Sequence, residues 1–267
     1  MLARLATHTH HEASIQRLVE YFRTLPEVQA LILGGSIAHG FESPTSDIDV
    51  MIVVSDEEYH ERLRDGRLQF FDNQVCTYDG GYVDGKYLGL NVLSKLAEAG
   101  SEPARFAFQD AKILLSRLDT LEATLQRITR YPVEGKPERM RRFYAQFEAW
   151  HWYANEGLRL NDRYLLGVSL AKLVLFGGRL ILAHNELLYP YHKWFLKVLE
   201  RADDKPPALL ECISSLHDHP SAESIEKFYE GVATFRAWEV PDIGWPNQFM
   251  LDSELGWLTG AIAVDDL

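Results

Sequence analysis

The chain is 267 residues long, 46% hydrophobic and 25% charged, with a formal net charge of −12 at pH 7. These proportions exclude a disordered or fibrous chain and leave room for one large domain or two of ordinary size. The acidic surplus argues against a protein that grips long DNA or RNA, because phosphate neutralisation supplies most of that affinity, and toward a small and even cationic substrate.

Cys76 and Cys212 lie far apart without metal-type spacing. No disulfide framework is expected, and a reducing cytoplasm is the default compartment. The opening MLARLATHTHHEAS has no apolar run of the secretory type. His8, His10 and His11 sit near this end, where solvated side chains are expected, so no metal site is assigned to them; His217 and His219 are read the same way.

In chain order, Glu12–Leu25 places Ile15, Leu18, Val19 and Phe22 on one helical face, and Pro26 ends the run. VQALIL and DIDVMIVV are short, aliphatic and bounded by turn residues, as central strands are. EEYHERLRDG reads as an exposed helix or turn. QVCTYDGGYVDGKYLGLNVL reads as a hairpin turning at Asp79, Gly80 and Gly81. Pro132 to Pro137 reads as a linker or bend, and from Glu138 onward the period is helical. Met140, Phe143, Tyr144, Phe147, Trp150 and His151 form a stripe expected to pack helices together. Tyr164–His184 is the most apolar stretch. Its Lys172, Arg179 and several glycines favour a buried core helix over a membrane span. Further helices are expected at Tyr191–Ala202 and Ser224–Trp238. The expected architecture is α+β: a mixed-sheet domain over 1–130, then an all-α, bundle-like domain over 138–267.

The chemistry concentrates in LILGGSIAHGFESPTSDIDVMIVV. Gly-Gly-Ser directly after a strand turns the backbone tightly and leaves no Cβ in the way of a ligand. A helix beginning near Ser36 would offer free N–H groups and a hydroxyl to phosphate oxygens, and Gly40 would keep its exit compact. Asp47 and Asp49 are two apart, so strand periodicity points both carboxylates to one face. Two such carboxylates opposite a phosphate cradle suit a magnesium ion shared between protein and triphosphate.

GGSIAHGFESPTSDIDVMIVV, with Gly35, Ser36, Gly40, Ser46, Asp47 and Asp49, resembles the signature of the nucleotidyltransferase superfamily of DNA polymerase beta-like fold. The resemblance implies a mixed-sheet catalytic domain and transfer of a nucleoside monophosphate, AMP by family prior, from a nucleoside triphosphate with loss of pyrophosphate. Magnesium would be held by Asp47 and Asp49, and the triphosphate by Gly35 and Ser36. It also implies a third carboxylate on a neighbouring strand, to bind metal or take the acceptor's proton. Asp72, Asp79 and Asp84 are the candidates. Asp84 is chosen because it sits inside an extended run and shares a face with Lys86, whereas Asp79 is accounted for as a turn former.

The layout also resembles small-molecule members such as aminoglycoside and lincosamide nucleotidyltransferases, whose helical domain closes over the nucleotide and shapes the acceptor pocket. The partners it implies are ATP and a small hydroxyl acceptor, with no long nucleic acid and no membrane. In YPYHKWFLKVLERA, Lys193 is either a triphosphate ligand or a lysine at the edge of an amphipathic helix. His39 is either a nucleotide contact or a loop histidine satisfied locally. Asp252 and Glu254, beside aromatic residues, read as a capped terminal segment before they read as a cationic-acceptor site. The alternative is a toxin–antitoxin-type protein that adenylylates proteins, cleaves RNA or serves as an interaction module. Arg179 and His184 in RLILAHN resemble the Arg–His pair of HEPN nucleases, although Leu180 stands where those carry a polar residue.

Overall fold

The computed structural model describes residues 8–260. The chain divides into two compact units, Met1–Arg130 and Tyr131–Leu267. The first runs α1 (Thr9–Arg23), β1 (Val28–Leu33), α2 (Gly35–His39), β2 (Ile48–Val54), α3 (Asp56–Arg64), β3 (Gln69–Asp72), β4 (Val83–Gly89), α4 (Leu90–Ala99), α5 (Glu102–Phe106), β5 (Lys112–Ser116) and α6 (Leu121–Thr129). Among the described residues the five strands form one mixed sheet in the order β3-β4-β2-β1-β5, with β2 and β4 parallel and the other neighbours antiparallel.

Strand alternation divides this sheet into two faces. Leu31, Leu33, Ile48, Val50, Ile52, Val83 and Tyr87 point one way and are covered by Ile15, Leu18 and Phe22 of α1. Ala30, Ile32 and Val53 point the other way, under Leu93 of α4 and Leu121, Leu125 and Ile128 of α6. From Ala30 on β1 and from Val50 on β2 each side is therefore apolar, the pattern of buried central strands. The hairpin differs from its sequence reading. Its first arm is the four-residue β3, not QVCTY, and Asp79–Gly80 lies within the loop between β3 and β4.

Arg105 ties this unit together from inside. It is buried, and its guanidinium donates to the carbonyls of Gly100 (2.8 Å), Ala97 (3.2 Å) and Ile128 (3.0 Å). These carbonyls sit at the C-terminal ends of α4 and α6, where orphan acceptors and the negative dipole end both favour a cation. Arg105→Met is expected to cost about 3 kcal/mol in urea unfolding, since several charge-assisted bonds are lost at once. A loss within error of zero would contradict this account.

The second unit is helical: α7 (Lys136–Leu160), α8 (Arg163–His184), α9 (Phe195–Glu200), α10 (Leu209–Asp218), α11 (Ala222–Ala233) and α12 (Trp245–Phe249), followed by a π turn at Met250–Glu254 and a 3-10 turn at Gly256–Thr259. The stretch read as a linker is a 3-10 turn (Val133–Gly135) and the start of α7, with Pro137 in the first turn, where its missing N–H costs nothing. Asn161, in the left-handed conformation, ends α7, and Asp162 caps α8 by accepting from the N–H groups of Tyr164 and Leu165.

The aromatic stripe packs helices, as its spacing implies. Phe147 and His151 both stack on Tyr229 of α11, and the Tyr229 hydroxyl donates to Glu148. By length and composition α8 could cross a membrane, yet half of that stretch is buried inside the unit. Gly177 meets Phe147 and Phe228, and Gly178 meets Phe195, so α8 is the core helix of this unit. The helix expected at Tyr191–Ala202 covers only Phe195–Glu200: Tyr191 adopts φ +64° and residues 192–194 form a turn before it.

Candidate active site

β1 ends at Leu33, Gly34 caps α2, and Gly35 takes φ +60°. The Gly34 N–H donates to the Asp49 carbonyl (2.9 Å), which keeps the turn against β2. A Cβ on Gly35 would lie 1.8 Å from Asp49 Oδ2, so the Asp49 carboxylate occupies the space directly over this glycine. Gly40 closes α2 in the left-handed conformation, and the Phe41 N–H returns to the Ser36 carbonyl (2.8 Å). Ser36 is buried, and its Oγ has no hydrogen-bond partner.

Asp49, Met51 and Val53 share one face of β2. Val53 lies under the helices, and the strand turns acidic at the uncovered end. Asp47 falls one residue before the strand. In the parallel pair, Asp49 stands opposite Asp84 and Met51 opposite Lys86. The two aspartates thus share a face on neighbouring strands, whose backbones are about 4.8 Å apart. The pull of Asp47 on the Tyr82 hydroxyl, followed by burial and the charges of Asp49 and Asp84, raises the Tyr82 pKa above the ordinary tyrosine value. Tyr82 therefore feels all three carboxylates.

The other third-carboxylate candidates are employed elsewhere. Asp72 stands opposite Val83, on the face away from Asp49, and accepts from the N–H groups of Gln74 (2.7 Å) and Val75 (2.8 Å). Asp79 is in the turn before Gly80, which has φ +70°. Asp84 accepts from Gln69 Nε2 (3.0 Å) and stands opposite Phe71 on β3. Phe71 is 60% exposed and stacks on Tyr82, an aromatic pair beside the carboxylates that the sequence reading missed.

Among the described residues no three His, Cys, Asp or Glu side chains form a ready-made metal cage. The donors do fit magnesium, which takes one or two carboxylates and completes its shell with water and substrate phosphate. The orphaned Ser36 hydroxyl also fits a phosphate partner, since buried polar atoms are rarely left unpaired.

The remaining candidates are placed as follows. The Lys193 ammonium, in the helical unit, lies 4.9 Å over the Trp194 ring. His39 is buried against Phe106, with Nδ1 3.4 Å from Asp110 Oδ2. Asp252 pairs with Arg142 (2.9 Å), and Glu254 is exposed. The Arg179 guanidinium sits between Phe143 and Tyr189, while His184 bonds Asp204 (2.9 Å), so the two point to different neighbours. Cys76 and Cys212 are free thiols. The N-terminal histidines depart from expectation: His11 is fully buried, and the three rings cluster against one another, with His10 and His11 also against Tyr78. Loop carbonyls more than thirty residues away draw His10 and His11 in, a non-local cause that local polarity does not reveal.

A mixed sheet with a Gly-Gly-Ser turn opening a short helix, beside a strand that carries Asp49 and follows Asp47, is the layout that the nucleotidyltransferase resemblance implies. Residues 15–87 match the family described as nucleotidyltransferase domain, and this part of the chain is such a domain, followed by a helical region. No curated protein matches the sequence. Among solved structures, a nucleotidyltransferase-like protein from Exiguobacterium sibiricum is similar over 84% of this chain and 74% of its own, at 12% identity and a TM-score of 0.47.

Proposed function

We propose that the protein transfers a nucleoside monophosphate, AMP by preference, from a magnesium-bound nucleoside triphosphate to a hydroxyl of a small acceptor. The observation that carries this reading is the Asp49 carboxylate seated over Gly35 with Asp84 in register beside it. Ser36 Oγ and the first N–H groups of α2 would donate to triphosphate oxygens. Asp47 and Asp49 would hold the ion. When bound, magnesium supplies positive charge for the α-phosphate and the departing pyrophosphate. The acceptor oxygen attacks the α-phosphorus, the bond to the bridging oxygen of the β-phosphate breaks, and Asp84 takes the hydroxyl proton.

Sheet order then suggests where the acceptor comes from. Attacking and leaving oxygens are roughly in line. The phosphate turn lies on the β1 side of β2, so pyrophosphate leaves toward that side. The acceptor enters from the β4–β3 side, where Asp84, Phe71 and Tyr82 stand. The exposed aromatic pair suits an acceptor that presents a flat face.

The reading is tested by calorimetric titration of ATP and GTP with and without magnesium, followed by pyrophosphate release across aminoglycoside, lincosamide and simpler hydroxyl acceptors. Absence of magnesium-dependent nucleotide binding would sink it. With the acceptor that turns over, Phe71→Ala is expected to raise the acceptor KM about tenfold, the equivalent of one lost aromatic contact, without changing nucleotide affinity. A change confined to nucleotide affinity would place the base, not the acceptor, on this shelf.

A further inference from the structure

Asp47 lies just before β2, beyond the ladder that fixes Asp49 and Asp84. The carbonyl of the preceding residue, Ser46, accepts two hydrogen bonds, from the Tyr78 hydroxyl (2.6 Å) and from His11 Nε2 (3.1 Å). A carbonyl only accepts, so His11 is the Nε2–H tautomer. Burial, with His10 and His8 alongside, holds its pKa below the ordinary imidazole value and favours the neutral ring. Its Nδ1 is buried without a partner. An imidazole kept inside with one nitrogen unsatisfied is kept for the bond made by the other.

The same end of α1 holds both loops beside the carboxylates. His10 Nε2 donates to the Pro44 carbonyl (2.9 Å). From the loop carrying Tyr78 and Tyr82, the Thr77 N–H donates to Ser14 Oγ (2.9 Å) and its hydroxyl to the His10 carbonyl (3.0 Å). His10, His11 and Ser14 all precede the stretch that matches the nucleotidyltransferase family.

We propose that His11 is a positioning residue for Asp47: with Tyr78 it fixes the Ser46 peptide and so aims the Asp47 carboxylate at the magnesium nucleotide. This role rests on the nucleotidyl-transfer reading.

The test compares wild type with His11→Phe, which keeps a ring but loses the donor, and His11→Gln, whose amide N–H replaces Nε2–H. Tyr78→Phe removes only the second bond. ATP affinity is titrated with and without magnesium, and amide hydrogen exchange is followed over residues 43–48. His11→Phe is expected to lose about tenfold in the magnesium-dependent part of ATP affinity, the low end of the loss when a direct partner of a metal ligand is removed, because His11 acts through the Ser46 peptide. Magnesium-free binding stays as in wild type, and exchange quickens over 43–48. Tyr78→Phe shifts both readouts in the same direction, and His11→Gln restores them. On an Asp47→Asn background His11→Phe adds nothing, whereas a merely structural role would add its cost again.

Unchanged magnesium dependence in His11→Phe, or failure of His11→Gln to rescue, overturns the role of His11 alone. A wild type without magnesium-dependent ATP binding overturns the transfer reading and this role with it.

Discussion

Asp49→Asn is expected to abolish nucleotidyl transfer, by on the order of 10³-fold or more, with a Tm within a few degrees of wild type. The substitution keeps side-chain volume and shape, so the contact over Gly35 and the backbone bond from the Gly34 N–H to the Asp49 carbonyl both survive. What is lost is the negative charge. An amide oxygen is a poor substitute for a carboxylate in a hard-cation shell. Charge removal also acts on the unliganded protein: Asp49 and Asp84 stand side by side on neighbouring strands, where like charges repel. Thermal shift separates the two effects. Wild type should gain Tm with magnesium and ATP in proportion to binding, and Asp49→Asn should not. Turnover at anything near the wild-type rate in the variant would end the proposed mechanism.

The parts of this site that were legible in the sequence are those fixed by local periodicity. Asp49 shares a face with Asp84 because side chains alternate along paired strands, whereas Asp47, expected on that face too, lies one residue before the strand and outside the ladder. Gly-Gly-Ser after an aliphatic run announces a tight turn into α2, and Asp84 alternates with Val83 and Gly85 on β4. What stayed hidden depends on pairing between distant segments. β3 is only four residues, too short for an alternating pattern to stand out, and it is a strand because β4 offers it an edge. The shelf formed by Phe71 and Tyr82 follows from that register. His11 looked like one more solvated residue near a terminus, yet the Ser46 carbonyl it serves is 35 residues away. In the helical unit, α10 carries Leu209, Ile213 and Leu216 at helical spacing, but in ten residues bounded by prolines. A helix that short is stabilised by packing and not by its own propensity.

Gly35→Ala should be the most damaging single methyl group in the N-terminal unit. At φ +60° an L-residue with a Cβ costs about 1–2 kcal/mol in backbone conformation alone. The new Cβ would also lie 1.8 Å from Asp49 Oδ2, 2.4 Å from its Cγ and 2.6 Å from its Cβ, so rotating the carboxylate away does not relieve the overlap. Either α2 lifts from the sheet, carrying Ser36 with it, or β2 shifts against β4 and breaks the register of Asp49 with Asp84. Both outcomes separate the phosphate turn from the carboxylates, so transfer should be lost even where the protein still folds. The overlap with the Asp49 Cβ gives a further check. Asp49→Ala removes the 1.8 Å and 2.4 Å overlaps but keeps the 2.6 Å one and should bring only partial relief, whereas Asp49→Gly removes all three. On the Asp49→Gly background, the stability cost of Gly35→Ala in urea unfolding should therefore fall to the backbone part alone, about 1–2 kcal/mol. An equal cost on both backgrounds would mean that the Asp49 side chain does not sit over Gly35 in solution, and the contact that carries the functional reading would be gone.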